Sequence, residues 1–310
     1  MKKGFLALFL VCAEGAAVAA GCGANGNGGL GDAGPDVTTA DVFTQPADAA
    51  KDAPFDAAKT DAPGFEWPDC TSQPQGVPTK TIDQIWSDDP TTPTQVWLPG
   101  VYVTALSKGA CVDGVACELI LQQDLTYASL EAGAQHAVRA WITSSTAKYF
   151  ASLAVGDQVN AMAWAYRESE GGQNELIVHV DLLEPGCALK IGSGTPTPIQ
   201  GVALTDINSL AAYEQIYGPL LMQIANVTGT PKQPDQTFGL GNTFFDGGVT
   251  GGEIISLSPY YMDGGAFEGL EAGVKTKFSS VTGVFNEYFN PDASATKYLE
   301  IGARTPADYP

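Results

Sequence analysis

The sequence has little positive charge and few of the side chains that most often carry catalysis. Its 310 residues include 15 lysines and arginines against 35 aspartates and glutamates, for a net charge of −20, and only two histidines. A phosphate backbone needs Lys and Arg to replace its counterions, so this composition disfavours nucleic acid and anionic lipid as partners. We therefore expect no nucleic-acid partner.

Sequence motifs of common enzymes are also absent. The chain has no His-Glu-x-x-His motif, no phosphate-binding Gly-Lys loop and no Rossmann fingerprint. His179 and Asp181 share one face of a strand-like run, where an Asp–His pair could orient a base. A half-exposed strand with polar residues towards solvent is the simpler explanation. We assign no catalytic residue, and enzyme activity stays uncertain.

Long hydrophobic runs are missing as well. The apolar stretch "FLALFLVC" at residues 5–12 follows two lysines and is much shorter than the roughly 20 residues that span a bilayer, so it is typical of a signal peptide. The tetrapeptide Ala19-Ala20-Gly21-Cys22 resembles the lipobox of bacterial lipoproteins. The resemblance implies a signal peptide over residues 1–21 and a lipidated Cys22 that anchors the protein to a membrane. Cleavage near Ala20, which would leave Cys22 as a thiol, is the alternative.

The segment after Cys22 lacks the large apolar residues that a core requires. Residues 23–63 are mainly Gly, Ala, Asp, Thr and Pro, with seven aspartates against two lysines. Such a segment cannot bury enough apolar surface to offset the entropy of ordering its backbone. We predict a disordered acidic linker over residues 22–66, which raises a folded body off the membrane.

Four cysteines remain in the predicted folded body: Cys70, Cys111, Cys117 and Cys187. An even number in an oxidising compartment favours disulfides, and three pairings are possible. We favour Cys111–Cys117, which closes a small loop, and Cys70–Cys187, which joins the two ends of the first domain. A four-cysteine zinc site is the alternative, but its paired spacings of two to four residues are absent.

The folded body contains an internal repeat. "QGVPTKTIDQI" begins at Gln75 and "QGVALTDINSL" at Gln200, and the interval from Gly100 to Gly156 nearly equals that from Gly218 to Gly273. Alternating apolar residues at 176–182 and 221–226 predict strands, and the segments "TIDQIWS" and "LTDINSLAAYEQIY" predict short helices. A five-stranded barrel of about 100 residues fits each copy.

The order of glycines and strands in each copy resembles the OB-fold domains of exported bacterial proteins, which often occur in tandem or beside nuclease domains. The matching residues of the first copy are Gly100, Val103, Leu121-Gln122-Gln123, Val155-Gly156-Asp157, Val159, Glu168 and Glu175-Leu176. Those of the second are Gly218, Ile224, Phe238, Gly273, Val281-Thr282-Gly283, Glu287-Tyr288, Arg304, Ala307 and Asp308. No nuclease domain accompanies them, so the resemblance implies the fold and no nuclease activity.

Two glycine-rich acidic loops in the second copy are candidates for a cation site. They contain Asp246, Glu253, Asp263 and Glu268, and carboxylate oxygens are ligands that Ca²⁺ prefers. Ordinary turn chemistry explains the Asp-Gly-Gly sequences too. Aromatic residues near these loops (Phe244, Phe245, Tyr260 and Tyr261) could stack on a sugar or could belong to the core.

Together these patterns predict an all-β protein with two tandem OB-like five-stranded barrels and short helices behind the disordered stalk. The expected domains are residues 67–190 and 200–310, joined by a linker at 191–199. We expect a non-catalytic binding or surface-interaction lipoprotein whose ligand is a glycan, a peptide or a protein. The alternatives are an extracytoplasmic hydrolase and a structural spacer. The expected location is the bacterial cell envelope, at the outer membrane or cell surface, or else the protein is secreted.

Overall fold

The structure is a computed structural model that describes residues 70–109, 111–169, 176–182, 186–233, 241–250, 253–263, 266–290 and 296–310. The predicted signal peptide, the lipidation site Cys22 and the acidic linker lie outside the described residues. In the described part, no helix is long and apolar enough to cross a membrane.

The first barrel has five strands that close on themselves. They are β1 (Thr94–Leu106), β2 (Cys117–Gln122), β3 (Ala137–Ile142), β4 (Asp157–Ser169) and β5 (Leu176–Asp181). The order is β1-β2-β3-β5-β4, and β4 pairs back with β1; β3 and β5 are parallel, and the other pairs are antiparallel. A further strand, β6 (Cys187–Ser193), pairs with the first half of β4.

The second barrel repeats this topology. Its strands are β7 (Ile199–Val202), β8 (Leu221–Pro231), β9 (Thr243–Thr250), β10 (Glu253–Ser258), β11 (Thr276–Asn290) and β12 (Thr296–Gly302). The order β8-β9-β10-β12-β11 closes through the pairing of β11 with β8, and β10 and β12 are parallel. Strand β7 lies outside this ring and pairs with β8 in parallel. Two closed five-stranded barrels confirm the predicted all-β, OB-like fold.

Short helices precede the first barrel strand of each copy, as the sequence predicts. Helix α1 (Ile82–Asp88) begins with a capping box, in which the Thr81 and Gln84 side chains each accept a hydrogen bond from the other residue's backbone N–H. Within the first barrel lies α2 (Leu130–Gly133), and before β8 lies α3 (Leu210–Ala212), which continues as a π-helical turn at Tyr213–Tyr217. Single 3₁₀ turns occupy Ser107–Gly109, Ala147–Tyr149, Leu204–Asp206 and Pro306–Asp308.

Successive side chains of each strand point alternately into the barrel core and towards its outer face. Along β5 and its continuation, Val178, Val180 and Leu182 belong to the first core, whereas His179 and Asp181 lie on the opposite face. The second core is built in the same way, from residues such as Ile255 and Leu299. Each barrel therefore presents its alternate residues on an outer face, and the candidate sites lie on those faces.

The two barrels pack directly against each other and belong to one compact unit. Their contact, which we call the seam, contains an apolar cluster of Ala105 and Ile120 from the first barrel with Leu221, Tyr261 and Val284 from the second. All five side chains are almost completely buried. The seam covers the outer face of β2, so all six residues of that strand are buried.

Hydrogen bonds also cross the seam. The backbone N–H of Leu221 donates to Oε1 of Gln122 at 3.2 Å, and the backbone N–H of Gln135 donates to the carbonyl of Ile216 at 2.9 Å. Because both polar and apolar groups are shared, separating the barrels would expose apolar surface and break buried hydrogen bonds.

Both disulfides favoured from the sequence are present. Cys70 pairs with Cys187 at a Cα–Cα distance of 5.9 Å, and Cys111 pairs with Cys117 at 5.4 Å. The first bond ties the segment before α1 to β6, and the Cys70 and Cys187 side chains pack with Trp97 and Met162 on the outer face of β1 and β4. The second closes the loop between β1 and β2.

One correspondence in the predicted repeat is wrong. Gly156 and Gly273 do correspond, because both have positive φ and lie just before the fourth strand of their barrel, β4 and β11 respectively. Gly100 and Gly218 do not correspond, because Gly100 lies inside β1, whereas Gly218 lies before β8. The residue inside β8 that adopts a left-handed conformation is Asn226, at φ 54°. Asparagine tolerates this region better than most residues, so the second copy needs no glycine there.

Candidate functional site

The His179–Asp181 pair lies on the outer face of the first barrel and is buried. The exposed fractions of the two residues are 9% and 6%. Nδ1 of His179 lies 3.7 Å from Oδ1 of Asp181, and the Tyr166 hydroxyl donates to Oδ2 of Asp181 at 2.8 Å. The Tyr166 and His179 rings lie 4.0 Å apart between centroids. The expectation of a solvent-facing position is therefore wrong, because neighbouring side chains close over the pair.

Strand register extends this cluster into two rows of side chains. Asp181 lies opposite Trp141 on β3 and Trp164 on β4, and we call this row the Trp–Asp–Trp rung. His179 in the next row lies opposite Arg139 and Tyr166. Both tryptophans are half-buried, so part of each indole remains accessible. The sequence analysis missed Trp141 and Trp164, because only the pairing of β3, β5 and β4 brings them beside Asp181.

A buried polar network lies between this cluster and the seam. Nη2 and Nε of Arg139 donate to Oε2 of Glu118 at 2.7 and 3.2 Å, and the Tyr261 hydroxyl of the second barrel donates to Oε1 of Glu118. Burial, followed by the charge of Glu118, raises the pKa of Tyr261 well above its ordinary value, which keeps the hydroxyl protonated as a donor. Burial likewise raises the pKa of Tyr260.

The second barrel has a comparable network on its own outer face. Nδ2 of Asn242 donates to Oε2 of Glu300 at 3.1 Å and to the Ser256 hydroxyl at 3.0 Å, and Nδ2 of Asn286 donates to Oε1 of Glu300 at 3.3 Å. Burial raises the pKa of Glu300, and the hydrogen bonds from Asn242, Asn286 and Ser258 oppose that shift.

A cavity of about 440 Å³ opens at the seam. Its walls come from the turn before β4, from the chain after β6 and from the second barrel: Ala154, Val155, Gly194, Thr195, Pro196, Tyr261, Arg304 and Thr305. We call it the seam cavity. It combines apolar surface with threonine hydroxyls and one guanidinium group, and its volume suits a small ligand or a short segment of a larger one.

Arg304 is held in the wall of the seam cavity by both barrels. Its Nε and Nη2 atoms donate to Asp308 at 3.3 Å each, and Nη1 donates to the carbonyl of Thr104 at 3.3 Å. Asp308 also accepts from the backbone N–H groups of Arg304 and Thr305. The Arg304–Asp308 pair is therefore electrically balanced, so the cavity favours a ligand that accepts hydrogen bonds without a full negative charge.

The calcium candidates are not gathered into a recognisable site. The Asp246 carboxylate pairs with Nζ of Lys275 at 2.5 Å, and Asp263 and Glu268 are exposed. The side chain of Glu253 lies outside the described residues. Within the described ranges, no three His, Cys, Asp or Glu side chains form a group that could hold a metal ion.

The loop aromatics divide between core and surface. Phe245 and Tyr261 are buried, the first in the second core and the second at the seam. Phe244 is half-buried beneath Nζ of Lys232, which lies 4.3 Å from the ring centroid, and Tyr260 is half-buried next to Tyr261. Of the two interpretations offered by the sequence, sugar stacking is therefore wrong for Phe245 and Tyr261, because their rings are buried by packing.

The other histidine, His136, directly precedes β3. Its ring lies 5.5 Å from that of Tyr127, and its Nδ1 is buried with no hydrogen-bond partner among the described residues. His136 and the His179–Asp181 pair do not line the seam cavity. Among the described residues, the histidines proposed from the sequence are therefore not brought to that cavity, and the hydrolase hypothesis stays a prediction.

Comparison with known proteins identifies no family. No protein-family model matches the chain, and no curated protein matches it. Among solved structures, the chain is similar to one described as an aspartyl-tRNA synthetase from Leishmania major Friedlin, with 9% identity and a TM-score of 0.25. That match covers 46% of this chain and 27% of the other, and a likeness at this level carries no conclusion about fold or activity. The assignment of OB-like barrels rests on strand order alone.

Proposed function

We propose that this chain is an exported, lipid-anchored binding protein that holds its ligand in the seam cavity and performs no reaction on it. The signal-peptide pattern at residues 1–21 and the lipobox-like sequence ending at Cys22 support export and anchoring. The two disulfides are compatible with an oxidising compartment outside the cytoplasm. The bacterial cell envelope, at the outer membrane or the cell surface, is the proposed location.

The seam cavity is the observation that carries this proposal. It lies where two barrels meet, and interfaces between domains are frequent positions of ligand sites. Its hydroxyls and guanidinium group suit the hydroxyls of a glycan or the carbonyls of a peptide, whether free or part of a protein partner. The acidic surface of the protein makes an anionic partner unfavourable.

A screen with a cavity-filling variant tests the ligand site. Ligand-observed NMR would compare the wild-type protein, Val155→Trp and Val274→Trp against soluble cell-wall oligosaccharides and short peptides. Val155 lines the cavity and Val274 is a similarly exposed valine elsewhere, with exposed fractions of 42% and 47%. We expect ligands that bind the wild type and Val274→Trp but not Val155→Trp. Binding that survives Val155→Trp would place the ligand elsewhere, and no binding at all would favour the structural-spacer alternative.

Intact mass spectrometry tests the anchor. Protein extracted from membranes with detergent should begin at an acylated Cys22, and its other four cysteines should react with a thiol reagent only after reduction. A protein that begins before Cys22 and carries no lipid would contradict anchoring and indicate secretion.

A further inference from the structure

We propose that the Trp–Asp–Trp rung on the first barrel is a second binding site, specific for an organic cation of the quaternary-ammonium type. This site is separate from the seam cavity, because Trp141, Asp181 and Trp164 do not line that cavity. Nothing in the proposed function requires it, so each proposal can fail alone.

The register of the strands places the buried carboxylate between two half-buried indoles. Trp141, Asp181 and Trp164 lie on three neighbouring strands and face away from the core, whose residues are the alternate positions Ala140, Val180 and Ala163. Neighbouring strands are about 4.8 Å apart, so the two tryptophan Cα atoms are separated by about 10 Å. Asp181 is only 6% exposed, so its carboxylate lies beneath the surface that the two half-buried indoles present. A trimethylammonium group on the indole faces would lie above this carboxylate.

The surroundings of Asp181 favour a cation over a sugar. Its Oδ2 accepts a hydrogen bond from Tyr166, and its Oδ1 is buried. A sugar hydroxyl needs direct contact with an acceptor oxygen, whereas the negative charge acts on a nearby cation without contact, most strongly in a site with little water. A quaternary ammonium group has no N–H donor and binds through indole faces and a negative field.

The two arginines described near the rung are each paired with a carboxylate. Arg139 in the adjacent row donates twice to Glu118, and Arg167 further along β4 pairs with Asp89 at 2.5 Å. The net charge of −20 also raises the local concentration of cations at the surface. Among the described residues, Asp181 itself contacts two titratable groups, Nδ1 of His179 at 3.7 Å and the Tyr166 hydroxyl at 2.8 Å.

Two covered regions confine the rung on its barrel face. On one side, Trp97 and Met162 are buried beneath the disulfide-bonded segment at Cys70 and Val77. On the other, Glu118 lies opposite Trp141 and is buried against Tyr261 of the second barrel. Between these regions the two tryptophans remain half-buried, so part of each side chain is accessible.

A titration with choline and its neutral carbon isostere, 3,3-dimethylbutan-1-ol, tests the proposal. Isothermal titration calorimetry on the whole chain should show that choline and tetramethylammonium bind and that the isostere binds about tenfold or more weakly, because it has the shape without the charge. Equal binding of choline and the isostere would overturn the proposal in favour of an apolar site. Competition by a neutral oligosaccharide such as chitohexaose would overturn it in favour of a sugar site, and absence of choline binding would overturn it outright.

Variants locate the binding. Trp164→Leu keeps an apolar side chain but has no π face. It should therefore weaken choline binding about tenfold and leave the affinity for the isostere unchanged. Trp164→Phe should retain part of the affinity for choline. Asp181→Asn should weaken choline binding alone. Tyr149→Ala removes an exposed aromatic outside the rung and serves as the control. If Asp181→Asn does not fold, the Leu and Phe variants still decide the outcome, and choline binding unchanged by Trp164→Leu would overturn the assignment of the site.

Sedimentation with two kinds of lipid vesicle distinguishes a lipid headgroup from a free small molecule as the source of the cation. Sedimentation with phosphatidylcholine vesicles, compared with phosphatidylglycerol vesicles, should show binding that Trp164→Leu removes if the ligand is a lipid headgroup. Binding of free choline without vesicle binding would identify a small solute instead. Either result supports the site, whereas vesicle binding that Trp164→Leu leaves intact would contradict the lipid source.

Discussion

Glu300 illustrates how single buried polar residues shape this protein. Its carboxyl group lies on the outer face of the second barrel, 3% exposed, and accepts hydrogen bonds from Asn242 and Asn286. Oδ1 of Asn286 is buried and has no hydrogen-bond partner among the described residues. A protonated Glu300 could donate to such an oxygen, which agrees with the raised pKa that burial produces.

Replacing Glu300 with glutamine should change how stability depends on pH. Because the pKa of Glu300 is raised in the folded state, its favourable contribution is complete below its unfolded pKa of about 4.3 and is lost as pH rises through the folded value. The wild type should therefore lose stability with rising pH relative to Glu300→Gln, by about 1.4 kcal/mol for each unit of the shift. Urea unfolding between pH 4 and 8 measures this.

The slope with pH, rather than the absolute stability, is the decisive quantity in that experiment. Glutamine changes the hydrogen bonding of Asn242 and Asn286 by an amount that does not depend on pH. Glu271→Gln, at an exposed position, is the matched control and should follow the wild type. Parallel curves for wild type and Glu300→Gln would contradict a raised pKa.

At the scale of elements, the two disulfides connect segments in very different ways. Cys70 and Cys187 are 117 residues apart and join the start of the described chain to β6, whereas Cys111 and Cys117 are six apart and close only the loop between β1 and β2. That loop contains Val112 and Val115, both exposed. In the chain-entropy account, a cross-link stabilises by restricting the unfolded chain, and a longer closed loop restricts it more.

Removing each disulfide should therefore have unequal effects. We expect the double variant Cys70→Ala with Cys187→Ala to lose about 5 kcal/mol of unfolding free energy, and Cys111→Ala with Cys117→Ala to lose about 2 kcal/mol. Guanidinium unfolding of both variants and the wild type measures the difference. A larger loss from the short loop would mean that native packing around it, rather than chain entropy, dominates.

At the scale of the whole molecule, the seam makes the two barrels interdependent. It buries Ile120 of the first barrel against Leu221 and Val284 of the second, and Tyr261 of the second barrel donates to Glu118 of the first. Removing either barrel would leave apolar side chains and a buried carboxylate in contact with water. The two barrels are thus expected to share a single stability.

We expect one cooperative unfolding transition. All five tryptophans precede residue 200, and the four that the structure describes (Trp86, Trp97, Trp141 and Trp164) belong to the first barrel and its helix α1. Their fluorescence reports on the first barrel, whereas far-ultraviolet circular dichroism reports on both. The two signals should change at the same denaturant concentration, as a two-state transition requires. Two separated midpoints would show that the barrels unfold independently and that the seam adds little.

Much of the fold could be read from local patterns, but the sites could not. Alternation of apolar residues placed β5 and β8, and the capping residues Thr81 and Gln84 agree with helix α1, because these signals act between residues close in sequence. The match of Gly218 with Gly100 failed because a left-handed residue inside β8 can be asparagine, and spacing alone does not detect it. The burial of His179 and Asp181 was missed because it depends on Tyr166 and on side chains from neighbouring strands.

By itself, the sequence determined the all-β class, the two copies, the acidic character and the expectation of two disulfides, since each follows from composition, period or cysteine count, whereas three pairings of the cysteines remained possible. Only the tertiary structure decided that β2 of the first barrel is covered by the second, that a cavity opens beside Arg304, and that two tryptophans flank Asp181. The reason is physical. Strand pairing and barrel packing join residues that are far apart in the chain. The pattern of residues along one segment does not predict which other segment will lie beside it.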